Sequence, residues 1–401
     1  MWIERDITQH IQGLARSFPA IILTGARQTG KTSLLRRLFA DHTYVSLDIP
    51  STAALASHSP EEFLSRYAPP LLVDEVQYAP ELLRHLKVAI DHDRHVMGRF
   101  VLTGSRKFLL MQHVAESLAG RCAIVELETL SAGELVASGV ALDTYPQQVH
   151  CLTRGLFPEL WRDPQIPSDA FYQSYLATYI ERDVRQLLNV GSLRDFERFL
   201  RACAVRSGQL LNKSDMGRDV GVSQPTIGAW LSVLQASNQV ALLEPFFANV
   251  GKRLVKSPKL YFLEPGLLCF LLGVHPGNIE RSPFLGAIWE AFVFAELRKY
   301  QQLYHPRASL FFYRDQQNRE VDFLWSSAGH LVLMEAKWTE NIRGADASTM
   351  DAVTRVLAAS TTPTYHVQTA LLICRTPEHF APAATTRVVN GFRLREVVAT
   401  L

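Results

Sequence analysis

Cysteine is sparse. Cys122, Cys151, Cys203, Cys269 and Cys374 are odd in number and scattered, and no two form a Cys-x-x-Cys pair. That argues against a disulfide framework or a structural zinc site and fits a reducing cytoplasm. Net charge is nearly absent as well: 41 Lys and Arg against 39 Asp and Glu leave +2. A globally basic nucleic-acid binder is therefore excluded, and any such contact has to come from a local patch. Long apolar runs are also missing. The most apolar stretch, Leu260–Val274, contains Glu264 and Pro265 and is shorter than the roughly 20 residues a membrane span needs. The opening Met1-Trp2-Ile3-Glu4-Arg5-Asp6 has neither the basic start nor the apolar core of a secretory leader. These absences predict a soluble, cytoplasmic protein with no membrane contact. There is no internal repeat and no low-complexity tract. At 401 residues, 47% of them apolar, the chain can bury two or three separate cores.

What is present first is an alternation. Ala20–Thr24 reads as a strand, followed by a helix over Lys31–Ala40. Strands at Tyr44–Asp48 and Leu71–Asp74 come next, then a helix over Glu81–His92 and a strand at Arg99–Thr103. Strands alternating with helices predict a parallel sheet with helices on its faces, an α/β fold. Beyond Leu130 the pattern changes. A helix over Ser131–Ser138 and a mixed stretch to Pro167 lead into mostly helical sequence from Asp169 to Leu243. Strands at Leu242–Ala248 and Lys259–Leu263 follow. After a junction at Glu280–Leu285 come a helix over Ile288–Tyr300, strands at Leu310–Arg314, Glu320–Ser326 and Leu331–Lys337, a helix over Thr349–Ala359 and a strand at Ala370–Cys374. The predicted division is 1–130, 131–168, 169–279 and 280–401.

The segment Gly25-Ala26-Arg27-Gln28-Thr29-Gly30-Lys31-Thr32 matches G-x-x-x-x-G-K-[ST] at every fixed position, with an apolar strand before it and the amphipathic run from Ser33 to Phe39 after it. The glycines let the backbone curl so that successive N–H groups, through Ser33, converge on phosphate oxygens. The helix N-terminus adds partial positive charge. In such a P-loop Lys31 reaches the β- and γ-phosphates of ATP and the Thr32 hydroxyl ligates Mg²⁺. The acidic partner is Asp74, which ends the strand Leu71-Leu72-Val73 at its carboxyl end, where open α/β sheets bind ligands. Glu75 is placed to orient or deprotonate the attacking water, although consecutive acids also occur on solvated turns. Thr103 or Ser105, ending the run from Phe100, can hydrogen-bond the water or γ-phosphate, or simply form a turn at Gly104. Arg121 can stabilise charge on the transferred phosphoryl within one subunit or across an interface, or be a surface arginine after a helix stop. Asp48 is a weak further candidate for Mg²⁺.

Gly25–Thr32, the run Asp74-Glu75-Val76-Gln77-Tyr78-Ala79-Pro80-Glu81-Leu82, Leu102-Thr103-Gly104-Ser105 and Ser117-Leu118-Ala119-Gly120-Arg121 together resemble a prokaryotic AAA-type ATPase family. Its members pair this ATPase with a carboxyl-terminal domain of unknown function, and the resemblance covers the whole chain. It implies ATP and Mg²⁺ as cofactors. AAA-type modules often assemble so that an arginine reaches a neighbour's nucleotide, which makes a homo-oligomer an open expectation.

Leu210–Val222 followed by Ser223–Gln235 suggests a helix-turn-helix. Gly221 marks the turn, Ser223 caps the second helix, and Pro225 stands in its first turn. Ile227, Trp230, Leu231 and Leu234 recur at helical spacing and face a core, leaving Ser223, Gln224, Thr226 and Gly228 outward. A basic loop, Asn249–Lys256, lies between the two following strands. Helix-turn-helix plus basic wing is a DNA-binding arrangement, and the family resemblance agrees with a winged helix here. Related chains often carry Asp before a Gly-Leu pair at the end of the strand after the wing; this one has Glu264-Pro265-Gly266-Leu267. The second helix holds no Lys or Arg, so phosphate contact would rest on Lys213, Arg218, Lys252, Arg253 and Lys256, with Gln224 and Thr226 toward the bases. Such modules also serve as lids and protein contacts.

A second constellation is Glu320-Val321-Asp322 with Glu335-Ala336-Lys337. Residues two apart on a strand share a face, so Glu335 and Lys337 point the same way. With the strand of Asp322 alongside, Asp322 and Glu335 can share a divalent ion and Lys337 can position its water. Glu290 on the preceding helix adds a carboxylate. The set resembles the PD-(D/E)xK fold of restriction endonucleases, although Glu335 and Lys337 can equally be an ordinary pair on a half-exposed strand. Two functions follow. One is an ATPase that couples turnover to nucleic-acid binding or processing. The other is an ATP-dependent switch whose carboxyl-terminal half binds protein and whose nuclease-like core is inactive.

Overall fold

Apolar runs of four or five residues become strands fully buried on both faces. A computed structural model describes residues 2–104, 114, 117–179, 193–247, 257–358 and 365–401. The chain divides into two units: Met1–Leu130 with Phe157–Arg162 and Ala236–Asn238, and the remainder. Segments 131–168, 169–279 and 280–401 therefore lie in one unit, apart from those two short stretches.

In the first unit β1 (Ala20–Thr24), β2 (Thr43–Ser46), β3 (Leu71–Asp74), β4 (Phe100–Gly104) and β5 (Cys122–Glu126) form a parallel sheet in the order β2-β3-β4-β1-β5. Every residue of β1, β3 and β4 is buried, which is why these central strands read as unbroken apolar runs. The strand period of two sends Ile22, Val73 and Leu102 into the core with helix Leu82–His92. It sends Ile21, Leu23, Leu72 and Val101 into a second core with Leu34 and Leu35 of helix Lys31–Leu38. Each such side chain contributes about 1.5–3 kcal/mol by leaving water. The sequence pattern does not reveal β5, because this edge strand buries Ala123 and Val125 but leaves Ile124 half exposed. Register aligns the strand ends. Thr24 lies opposite Gly104, and Val73 opposite Leu102, which brings Asp74 abreast of Thr103.

In the second unit, helix Leu193–Val205, β6 (Gln209–Leu210), helices Lys213–Val220 and Gln224–Ala236, β7 (Val240–Leu243) and β8 (Lys259–Phe262) follow in order, and the strands pair antiparallel as β6-β8-β7. Asn212 caps helix Lys213–Val220 by accepting from the Ser214 and Asp215 amides, and Gly221 ends it at φ 85°. Ile227, Trp230, Leu231 and Leu234 are buried, with the Trp230 ring 5.3 Å from both Phe196 and Phe199. The expected strand Leu242–Ala248 begins earlier and ends at Leu243. Glu264 acts structurally. It caps helix Pro265–Leu272 through the Gly266 amide at 3.3 Å. It also accepts from the Leu156 amide at 2.7 Å and the Tyr172 hydroxyl at 3.1 Å.

Helix Leu285–Tyr304 precedes a six-stranded mixed sheet of β9 (Ser309–Arg314), β10 (Glu320–Ser327), β11 (His330–Ala336), β12 (His366–Cys374), β13 (Phe380–Ala383) and β14 (Thr386–Asn390), ordered β13-β14-β12-β11-β10-β9. β9, β10 and β11 pair antiparallel, and β11, β12 and β14 parallel. Helix Ser348–Ala358 covers this sheet with Met350, Val353 and Leu357. Among the described residues no helix is long and apolar enough to cross a membrane.

Candidate functional site

The phosphate loop starts where β1 runs out of side chains. Gly25 (φ 142°) and Gly30 (φ 90°) hold left-handed backbone, and so does Gln28 at φ 60°. A β-carbon on Gly25 would lie 2.1 Å from the Leu127 carbonyl oxygen, so at this position only glycine lets the chain pass the start of the segment after β5. Gly25→Ala is expected to cost roughly 2–4 kcal/mol, the sum of overpacking and an unfavourable φ. A lowered melting midpoint together with lost nucleotide affinity would register it, and a variant that melts like wild type would contradict the crowding.

Gly30 is the N-cap of helix Lys31–Leu38, and no side chain caps this terminus. The first turn's N–H groups therefore face the loop. The Lys31 ammonium donates to the Gly25 and Ala26 carbonyls at 3.0 and 2.7 Å, and the Thr29 hydroxyl donates to Ala26 at 3.0 Å. Arg5, which carries no motif, braces the loop from outside. Its guanidinium donates to the carbonyls of Thr29 at 2.9 Å, Glu128 at 2.8 Å and Thr129 at 3.3 Å.

Asp74, buried at the end of β3, collects three hydroxyls. Thr32 Oγ1 donates at 3.1 and 3.0 Å to its two oxygens, Thr103 at 2.8 Å to Oδ1, and Tyr44 at 3.0 Å to Oδ2. Tyr44 is a residue the motif reading missed. Burial, with the Asp74 charge adding to it, pushes its phenol above the ordinary tyrosine value. The Thr32 hydroxyl and Asp74 carboxylate together fit a Mg²⁺ ion, which takes hard oxygen donors at a phosphate. Glu75 sits in left-handed backbone at φ 55°, and its carboxylate accepts from the Gln77 side-chain amide.

Asp48 lies exposed beyond the end of β2, next to Leu47, whose amide donates to the Asp74 carbonyl at 3.0 Å. One candidate is not brought to this site. Arg121 lies at the wrong end of the sheet. Its carbonyl accepts from Ala20, the first residue of β1, whereas the loop follows the last, a separation of roughly 13 Å or more. Its guanidinium pairs with Asp91 at 2.7 and 2.9 Å. A role within its own subunit is therefore closed to it. Ser105 lies outside the described residues, as do Lys252, Arg253 and Lys256.

Residues 17–136 match the model of an AAA domain. Residues 146–278 and 285–384 match two domains of unknown function, DUF8612 and DUF4143. The uncharacterized proteins Rv2008c of Mycobacterium tuberculosis and Mb2031c of Mycobacterium bovis are each 34% identical over 343 residues, covering 84% of this chain and 75% of theirs. The chain belongs to the prokaryotic AAA-type P-loop ATPases. Among solved structures, a Walker-type ATPase of Pyrococcus abyssi is 16% identical over 67% of this chain and 96% of its own, with a TM-score of 0.45. A RuvB variant of Thermotoga maritima is also 16% identical, over 60% and 89%, with a TM-score of 0.31. Both are loose likenesses.

This AAA-type ATPase carries a second polar cluster in its other unit. Glu290, Asp322, Glu335 and Lys337 come together, joined by Glu320, to which the sequence pattern gave no role, and by Lys259, which it did not single out. The Lys259 ammonium lies 3.0 Å from Glu290, 2.6 Å from Glu320 and 3.9 Å from Asp322. Glu290 also accepts from the Tyr261 hydroxyl at 2.5 Å, Asp322 from the Ala336 amide at 2.9 Å, and Glu335 from Lys337 at 2.7 Å. Arg314 completes the set at 3.2 Å from Glu320. Burial opposes the charge on Lys259, but Glu290, Asp322 and Glu320 outweigh it, and its pKa stands above the ordinary lysine value. Burial, then the charges of Glu290 and Glu335, drive Asp322 well above the usual carboxylate range. The expected sharing of a divalent ion by Asp322 and Glu335 does not fit this arrangement. A lysine already stands among the carboxylates, and no group of three or more His, Cys, Asp or Glu among the described residues is arranged to hold a metal.

On the helical module Lys213 and Arg218 are exposed, but Arg218 pairs with Asp215 and Arg206 with Asp219. Ser223 caps the second helix, accepting from the Thr226 amide at 3.3 Å, and Gln224 accepts from Ser214 at 3.1 Å.

Proposed function

We propose that this chain hydrolyses ATP to ADP and phosphate with Mg²⁺, and that turnover is coupled to a nucleic acid held by the helical module. The observation that carries the hydrolysis reading is the convergence of Thr32, Thr103 and Tyr44 on Asp74 beside the phosphate loop. Gly25 to Ser33 would wrap the triphosphate, Thr32 and Asp74 would hold the metal, Thr103 would orient the reacting groups, and Glu75 would accept the water's proton. Mg²⁺, when bound, neutralises charge on the phosphate oxygens. Lys31 has to leave the Gly25 and Ala26 carbonyls to meet the phosphate. Arg121 contributes to catalysis only from a second copy of the chain.

The coupling rests on the order of helices and strands from Leu193 to Phe262, which suits a winged helix with Gln224–Ala236 as its recognition helix. Lys213 is an exposed cation beside that helix: a β-carbon added at Gly228 would lie 3.9 Å from its ammonium. Duplex DNA is expected to raise the ATPase rate severalfold at low salt. Because phosphate contacts release counterions, the effect should fade between roughly 50 and 200 mM salt. Lys213→Glu should remove the stimulation and leave the basal rate. Turnover indifferent to DNA and RNA would instead favour the second reading, an ATP-driven switch whose carboxyl-terminal half binds protein and whose nuclease-like core is inactive. The pairing of Arg218 and Arg206 with aspartates and the lysine among the acids favour that alternative.

A further inference from the structure

We propose that Lys259 is the resident cation of the acidic cluster and excludes divalent metal from it. The inference rests on reading β9–β12 and helix Leu285–Tyr304 as a nuclease-like core. In such a core, carboxylates from a helix and from two adjacent strands converge on one ion. Here the helix supplies Glu290, β10 supplies Glu320 and Asp322, and β11 supplies Glu335. The ammonium of Lys259 lies 3.0, 2.6 and 3.9 Å from the first three. A magnesium ion bonds its oxygens at about 2.0–2.1 Å, so it would have to enter the space the ammonium fills and approach a like charge.

Lys259 cannot easily withdraw. It opens the central strand of the sheet β6-β8-β7, paired with Leu210 on one side and Leu243 on the other, and its side chain is 3% exposed. Charge counting agrees. Glu290, Glu320, Asp322 and Glu335 face Lys259, Lys337 and Arg314, which is four acids against three cations. Acids so nearly matched by resident cations have little attraction left for a dication. The lysine comes from the strand that follows the basic loop, so the same residue fastens the small sheet to the larger one.

The test is Mn²⁺ uptake by the full chain without nucleotide, read by the electron-spin signal of free Mn²⁺ and by thermal unfolding. Wild type should show no site that Asp322→Asn removes. Lys259→Met should bind Mn²⁺ at least roughly tenfold more tightly than wild type, melt lower than wild type without the ion and recover with it, and lose this in the double variant Lys259→Met/Asp322→Asn. Should Lys259→Met fail to fold, Lys259→Met/Glu320→Gln removes one charge of each sign and should still gain the site, and the wild-type titration stands by itself. Asp322-dependent Mn²⁺ uptake by wild type overturns the proposal, as does a folded Lys259→Met that gains none. A nuclease gel separates the two layers. Lys259→Met that takes up Mn²⁺ but cuts no DNA supports the lysine's role while counting against the nuclease-like reading.

Discussion

Lys31→Ala is expected to lower ATP turnover by roughly 10²–10³-fold, about 3–4 kcal/mol of lost electrostatic stabilisation, and to weaken ATP binding with it. The lysine is buried, and its ammonium is held by two loop carbonyls at 3.0 and 2.7 Å. Its charge is thus kept beside the helix N-terminus, where phosphate oxygens would gather. Truncation removes this charge without touching the sheet. Ile21 and Leu23, with Val101 and Leu72, pack independently of it, so the melting midpoint should shift by only a few degrees. Steady-state phosphate release and a fluorescent-nucleotide titration measure the two effects. A variant that turns over ATP at the wild-type rate would remove the phosphate loop from the mechanism, leaving its match to the family without consequence.

The parts of the site that follow local rules were legible in the sequence. Gly25, Gly30, Lys31 and Thr32 sit at fixed spacing because a single turn must present amides, amine and hydroxyl to one phosphate. Asp74 could be placed because an apolar strand ends there. Glu335 and Lys337 could be paired because a strand alternates with period two. What escaped depends on contacts distant along the chain. Arg5 reaches the carbonyl of Glu128 from 123 positions away, and Tyr44 meets Asp74 from 30. Lys259 meets Glu290 from 31 positions away. None of these has a periodic signature. For Lys259 one signal existed: a lone charge at the head of Lys259-Leu260-Tyr261-Phe262, where all four residues are buried, needs an acidic partner. For Arg121 the motif left open a role within one subunit or across an interface. β5 begins directly after it, and in a parallel sheet the start of a strand is the end remote from the ligand, so the sheet speaks against the first and leaves the second open. The strand β13 was missed for another reason: all of it is exposed, so hydrophobic patterning has nothing to detect.

Glu75→Gln separates binding from chemistry, and its expected result is a protein that keeps ATP and does not cleave it. The backbone at Glu75 is left-handed, a conformation that costs a non-glycine residue about 1–3 kcal/mol and persists only where surrounding structure enforces it. It is enforced here between a buried strand ending at Asp74 and the short helical turn Val76–Tyr78. Gln77 donates to the carboxylate, which limits where the side chain can go. Glutamine matches glutamate in size and can still accept a hydrogen bond through its carbonyl oxygen, but it does not take up a proton. Loss of general-base action alone lowers turnover by roughly 10²–10⁴-fold. The groups that would hold the nucleotide, from Gly25 to Ser33 with Asp74, are untouched, so the affinity for ATP should stay within about twofold, under 0.5 kcal/mol. Nucleotide extracted from the protein after incubation with Mg²⁺ and radiolabelled ATP should be ATP from the variant and mostly ADP from wild type. If both bind ATP and both release phosphate at the same rate, Glu75 is a solvated turn residue, and the base has to be sought elsewhere around Asp74. If the variant fails to bind, the carboxylate was supporting the loop rather than the water. Lys31→Ala loses both steps together, whereas Glu75→Gln should lose one, and that contrast distinguishes a hydrolytic site from one that merely holds nucleotide.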